Sequence, residues 1–169
     1  MDILPEILKR KSIRQFKSTL IAKDKVRRIM DAGAKAPSAK NRQEWRFIVI
    51  QKEEIRKKIQ DAAFGQEHVG KAPMIIAACT TNIDYRMPNG QLSYPIDLTF
   101  ALSFMLLQAI REGLGTCCIS TYDEQEIKEI ITVPYTMRIV LLLLVGYSKS
   151  EPEPTSRKPF KRVFSFDHW

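Results

Sequence analysis

Apolar positions along the chain fall into short runs whose period changes repeatedly, and each change marks an element boundary. Ile3, Leu4, Ile7 and Leu8 recur at helical spacing behind Asp2, a good N-cap, and predict a short first helix ending where a charged run begins at Arg10. Val26, Ile29, Met30 and Gly33 recur at i, i+3, i+4 and i+7, predicting an amphipathic helix over residues 23–35, stopped by Pro37. Residues 46–50 read as a buried strand. Residues 53–64 read as a charged surface helix followed by a polar, glycine-containing loop, and 74–79 as a second short apolar strand. Residues 81–94, with Asn82, Pro88, Asn89 and Gly90, predict an irregular connection of a length that is often functional.

Leu98, Ala101, Leu102, Met105, Leu106, Ala109 and Ile110 form a helical stripe, and Phe100, Phe104 and Leu107 put large apolar groups on the opposite side. A helix apolar nearly all round can meet a sheet with one face. Covering the other in so small a domain calls for a second subunit, so a homodimer with this helix in its interface is expected; the alternative is a wholly internal core helix. Gly113-Leu114-Gly115 ends it, a strand is expected over 116–120, and Asp123 caps a helix running to about residue 132 before Pro134. Residues 138–147 have the pattern of the most buried strand, and 148–169 form a proline-containing, charged, extended tail. Helices interleave with strands, which predicts an α/β (α+β) fold with a central, mainly antiparallel sheet flanked by helices.

With 169 residues, of which 44% are hydrophobic, the chain is long enough for one core and too short for two, so residues 1–169 are expected to form a single domain. The net charge of +8 asks for an acidic partner: nucleic acid, an anionic membrane surface or a phosphorylated small molecule. Its cations are spread over segments of different type, with no dense basic tract or aromatic-interleaved RNA motif, which disfavours nucleic acid. The segment around Leu98 to Ile110 is too short and too polar to span a bilayer. Three cysteines, Cys79, Cys117 and Cys118, without C-x-x-C spacing, together with an N-terminus lacking a secretory pattern, predict a reducing, cytoplasmic setting. His68 and His168 form no zinc pattern and read as surface or packing residues; no metal site is expected.

Two stretches carry chemistry. Arg10-Lys11-Ser12-Ile13-Arg14 places three cations and a hydroxyl within five residues, a set suited to an anion because guanidinium gives fixed paired donors and Ser12 adds a neutral one. A solvated basic turn is the plainer explanation. The second stretch, Ala36 through Trp45, offers Ser38, Asn41 and Gln43, donors and acceptors suited to the edge of a heterocycle, with Trp45 placed to pack beside it.

Arg-Lys-Ser-Ile-Arg followed by Ala-Pro-Ser-Ala-x-Asn-x-Gln-x-Trp resembles the FMN-dependent nitroreductase family, and the resemblance continues through Gly113-Leu114-Gly115-Thr116-Cys117, Val145-Gly146-Tyr147 and a late Arg157. It implies FMN as cofactor and NADH or NADPH as transient hydride donor, with a nitroaromatic, quinone or flavin as small-molecule acceptor in a ping-pong cycle. Arg10, Ser12 and Arg14, with Lys11 a weaker match, correspond to residues that grip FMN; Arg14 is implied beside the N1 and C2-carbonyl edge, where negative charge gathers on reduction. Pro37, Ser38 and Asn41 match residues that reach the flavin from the other subunit. Cys118, Ile119 and Ser120 match a strand end whose backbone amides face N5 and O4, and Arg157, assisted by Lys158, matches a phosphate contact.

Departures from the family pattern are Glu44 in place of a proline, Ala22 in place of a capping residue, and the short 81–94 segment, which implies a more open flavin. Adjacent Cys117 and Cys118 would point to opposite faces of a strand with no nearby histidine, so packing rather than thiol catalysis is expected. Gly113-Leu114-Gly115 lacks the third glycine of a dinucleotide fingerprint and precedes its strand. A non-catalytic FMN-binding or sensing protein, a flavin-cleaving or dehalogenating relative, and a basic nucleic-acid-binding domain remain the alternatives.

Overall fold

Strand periodicity divides the apolar side chains between two faces of one sheet, and the helices cover both. The computed structural model describes residues 3–153 and 155–169. Four strands, β1 (Trp45–Ile50), β2 (Met74–Thr80), β3 (Gly115–Ile119) and β4 (Arg138–Gly146), form an all-antiparallel sheet in the order β1-β2-β4-β3. The helices are α1 (Pro5–Lys9), α2 (Lys23–Ala34), α3 (Glu53–Ala62), α4 (Glu67–Lys71), α5 (Tyr94–Arg111) and α6 (Glu124–Ile131). Alternate side chains Ile75, Ala77, Leu142 and Leu144 pack in one core with Ile59 of α3 and Ile127 of α6. Met74, Ile76, Ala78, Leu143 and Val145 pack in the other with Ile29 of α2 and Leu98, Met105 and Ala109 of α5. Each large side chain fully buried this way contributes about 1.5–3 kcal/mol of transfer free energy.

The expected mixed fold with a central antiparallel sheet is what forms, with three local differences. Residues 67–71, expected as loop, make the short helix α4, which packs Val69 into the core. Every residue of β2 is buried, whereas β4, expected to be the most buried strand, begins with exposed Arg138, paired to Glu124 at 2.8 Å. Both are interior strands, but β4 is longer and its start emerges from under the helical cover. The first helix begins at Pro5 behind Leu4; Asp2, the expected cap, lies outside the described residues. Asp123 does cap α6, its carboxylate accepting from the Glu126 amide at 3.0 Å.

On α5 the stripe Leu98, Ala101, Leu102, Met105 and Ala109 is buried, while Phe100 and Phe104 on the other side are 46% and 40% exposed. Helix α1 lies against the C-terminal half of α5, with Arg111 paired to Glu6 at 3.4 Å, and presents Leu4, Ile7 and Leu8 to solvent. Beyond Glu153 the described tail is exposed throughout, with one 3-10 turn at Phe160–Arg162 that stacks Phe160 on Phe164, ring centroids 4.5 Å apart. Among the described residues no helix is long and apolar enough to cross a membrane.

Candidate functional site

The basic run is an extended segment laid along the open edge of the sheet. Ser12 bridges Thr116 in parallel fashion and the Ile13 amide donates to the Thr116 carbonyl at 2.8 Å. On the other flank Lys17 and Lys149 donate to Tyr147 and Gln15, each at 2.8 or 2.9 Å, so residues 12–17 are held between β3 and the chain leaving β4. Extended geometry sends alternate side chains to opposite sides. Ile13 and Phe16 enter the core, and Lys11 turns to Glu151 in a 2.7 Å ion pair. Arg10, Ser12 and Arg14 are interleaved with these, Arg10 reaching toward Cys118 and Arg14 toward Cys117 and His68, and neither arginine enters an ion pair among the described residues. The segment approaches this closely because Gly115 has no side chain; a Cβ there would stand 2.4 Å from Ile13 Cγ1.

Because Thr116 directs its backbone groups toward the Ser12 segment, antiparallel alternation sends those of Cys118 the same way, to the open edge, and those of Cys117 and Ile119 to β4. Cys118 therefore offers an outward N–H on the edge along which the basic run lies. Ile119 does not: it pairs with Leu142 and its side chain is core, so of the three strand-end residues only Cys118 and Ser120 face outward. The thiols do as expected in pointing apart, Cys117 buried and Cys118 exposed. Burial raises the Cys117 thiol pKa against the Arg14 charge; at Cys118, open to solvent on one side but flanked by protein, desolvation also raises it, with the neighbouring Cys117 adding to the rise and Arg10 opposing it. Both remain protonated at neutral pH, a poor state for a nucleophile.

Pro37, Ser38 and Asn41 lie elsewhere, in the turn between α2 and β1. Lys40, Asn41 and Gln43 all have positive φ, 52°, 54° and 52°, a costly backbone for residues other than glycine or asparagine. Side chains hold it. Ser38 Oγ accepts from the Gln43 amide at 3.0 Å, Asn41 Oδ1 accepts from Gln43 Nε2 at 3.0 Å, and the Ala39 amide donates to buried Asp97 at 3.0 Å. With these acceptors used inside the turn, the Ser38 hydroxyl proton and the Asn41 amide hydrogens are the groups left for a ligand. Tyr85, from the 81–94 connection, sits under the Arg42 guanidinium at 4.4 Å, so that segment folds onto this turn.

The turn is anchored at the N-terminal end of α5 and the basic run borders its C-terminal end, where Ile110, Gly113 and Gly115 line a cavity of about 550 Å³ with Lys11 and Ile13. Some 13 residues of helix separate Asp97 from Ile110, roughly 20 Å. One protomer therefore does not bring its two candidate half-sites together. Arg157 and Lys158 are exposed on the tail, six residues or more past Glu151, a length that can reach about 20 Å.

One residue that the sequence pattern marks only as surface or packing lies beside Arg14. His68, on α4, lines a cavity of about 420 Å³ with Arg14, Gln15, Phe16, Glu67, Lys71 and Lys149. Its Nε2 is the one buried side-chain nitrogen or oxygen without a hydrogen-bond partner among the described residues. Burial, and secondarily the Arg14 charge, lower its pKa from the usual histidine value. Nothing in the sequence links positions 14 and 68; the link is α4, which was not foreseen.

The Nitroreductase family profile matches residues 7–82 and 63–147. A Thermus thermophilus protein named NADH dehydrogenase is 27% identical, the match covering 96% of this chain and 95% of that protein. A Bacillus subtilis protein named FMN reductase (NAD(P)H) is 25% identical over 96% of this chain and 72% of its own length. The crystal structure of a nitroreductase family protein from Clostridium novyi NT, 34% identical, superposes with a TM-score of 0.82 over 88% of this chain and 86% of that one. Profile, relatives and fold agree over nearly the whole length, and the chain belongs to the nitroreductase family.

Proposed function

We propose that the protein is an FMN-dependent NAD(P)H oxidoreductase acting as a homodimer, with each flavin held between the basic run of one protomer and the turn around the partner's Ser38. The observation that carries this reading is the edge geometry: the segment carrying Arg10, Ser12 and Arg14 runs along the open edge of β3, where the Cys118 N–H points out of the sheet. Unpaired guanidinium groups, a hydroxyl and an outward amide form a donor set, with an unpartnered buried imidazole nitrogen beside Arg14, that fits a phosphorylated, carbonyl-bearing heterocycle.

When bound, FMN supplies the hydride-accepting chemistry, taking a hydride from NADH or NADPH and passing electrons to an electron-poor acceptor, a nitroaromatic, a quinone or another flavin, in a ping-pong cycle. The chain's own residues bind and tune. Arg10 and Ser12 take the phosphate side, joined by Arg157 and Lys158 when the tail folds back. Arg14 would place a fixed cation at the ring edge that becomes negative on reduction, and the outward Cys118 amide would offer a hydrogen bond to the ring. The uncovered Phe100 and Phe104 face of α5, continued by Leu4, Ile7 and Leu8, supplies the surface for a second copy. A two-fold pair then sets the C-terminal end of one α5 near the N-terminal end of the other, which joins half-sites that one protomer keeps apart.

The visible spectrum of purified protein, before and after anaerobic NADPH and then NADH, tests the reading. An oxidised-flavin spectrum that bleaches with either donor is expected. A flavin spectrum that stays unbleached would leave only a binding role, and no flavin after added FMN would remove the cofactor altogether.

A further inference from the structure

The Arg14 cavity brings together groups from three segments. Arg14 comes from the basic run, Lys149 from the strand-like chain beside it, and Glu67, His68 and Lys71 from α4. Lys71 and Glu67 neutralise each other in an ion pair, and the nearby Arg56 of α3 is occupied by the Gly70 carbonyl at 2.8 Å and the Ala72 carbonyl. What His68 faces is therefore the uncompensated positive charge of Arg14 and Lys149. Burial first, and then the Arg14 charge, lower the imidazole pKa, and its buried Nε2 has nothing to bond among the described residues. A native fold leaves a buried nitrogen unpaired at a cost unless another group completes the site.

We propose that His68 is a proton-accepting residue for the cofactor, its Nε2 facing the same ring edge as Arg14 and gaining one proton each time the flavin is reduced. This inference rests on the flavin reading and assigns a role to a residue outside the basic run and the Ser38 turn. Hydride transfer breaks one C–H bond of the nicotinamide and carries two electrons and one proton to the isoalloxazine, which is left with one negative charge at the N1 and C2-carbonyl edge. That charge, set among Arg14, Lys149 and His68, raises the imidazole pKa, and Nε2 takes a proton from solvent. When the electrons pass to the acceptor the negative charge disappears and the proton is released to the acceptor or to water. The reduced holoprotein thus holds one proton more than a fixed cation such as Arg14 alone would give it.

Imidazole NMR titration of FMN-loaded protein, oxidised and then reduced anaerobically with dithionite, reads this directly because the chain has two histidines and His168 lies exposed on the tail. His68 is expected to titrate at least about one unit higher in the reduced protein, with His168 unmoved. Between the two His68 pKa values, the reduction equilibrium measured against a reference dye should fall roughly hundredfold per pH unit in the wild type and roughly tenfold in His68→Gln. His168→Gln should keep the wild-type slope. An unchanged His68 titration on reduction, or an identical slope in His68→Gln, overturns the proposal while leaving the flavin reading intact. Absence of FMN binding overturns both.

Discussion

The backbone amide of Ala39 donates to the carboxylate of Asp97 at 3.0 Å, fastening the Ser38 turn to the first turn of α5. Asp97 is 5% exposed, and the positive end of α5 stabilises its charge there. Asp97→Ala leaves a part-buried amide without its acceptor beside three residues of positive φ, and is expected to cost about 1–3 kcal/mol in chemical denaturation and to weaken FMN in a fluorescence titration. Asp97→Asn keeps an acceptor oxygen and should lose less on both counts. Equal losses for the two variants would show that the hydrogen bond is not what holds the turn.

Gly115 sets how closely the basic run approaches β3. A Cβ at 115 would meet Ile13 Cγ1 at 2.4 Å and Ile13 Cβ at 2.9 Å, and Ile13 is anchored by its own amide to Thr116. Gly115→Ala is expected to cost about 1–3 kcal/mol as overpacking and to displace Arg10 and Arg14 from the Cys118 edge. Adding Ile13→Ala should restore part of the FMN affinity despite its own cavity cost. If the double variant binds FMN no better than Gly115→Ala, the spacing argument fails.

The roughly 20 Å between the half-sites predicts complementation across the dimer. Arg10→Ala and Ser38→Ala homodimers should each bind FMN poorly at both sites. A refolded mixture should contain heterodimers with one intact and one doubly damaged site, so that tight FMN binding recovers to about a quarter of the wild-type level, since half of randomly paired dimers are mixed. No recovery in a mixture shown to contain heterodimers would argue against a shared site.

Acid sensitivity should come from the clamp between α2 and α5. Arg28 binds both Glu112, at 2.6 Å, and Asp24, at 2.9 Å, while Lys25 Nζ donates to the Glu112 carbonyl at 2.6 Å. The Arg28 hydrogen bond holds the Glu112 carboxyl well below the usual range, at about 2. A folded pKa below the unfolded one means the stabilisation is fully present above about 4.5 and is lost as pH falls toward 2. Thermal melts of the wild type should decline across that window, and Glu112→Gln should flatten the decline while lowering stability at neutral pH. A decline of identical slope in Glu112→Gln would place the acid-labile group elsewhere.

Local pattern was enough for the elements whose burial repeats with their own period. The amphipathic stripe of α2, the apolar runs of β1, β2 and β4, and the Asp123 cap follow from neighbours three, four or two positions apart, and those distances are fixed by helix and strand geometry. The five residues of α4 were not legible: polar and glycine-containing, the segment is too short for a period, and packing of Val69 against the core decides its shape. The greater burial of β2 than β4 was hidden for a related reason, since it depends on which strand ends the helices cover.

The candidate site divides in the same way. The chain by itself determined which residue types could hold an anion and a heterocycle, because charge and donor capacity are properties of Arg10, Ser12, Arg14, Ser38 and Asn41 wherever they lie. Only tertiary structure decided where those groups point. Strand alternation at Thr116 turns Cys118 outward and Ile119 inward, the length of α5 keeps the two clusters apart, and α4 carries His68 to Arg14 across 54 positions of sequence. Such contacts join residues remote in the chain, and their geometry is fixed only when the sheet has formed and the helices have closed over it.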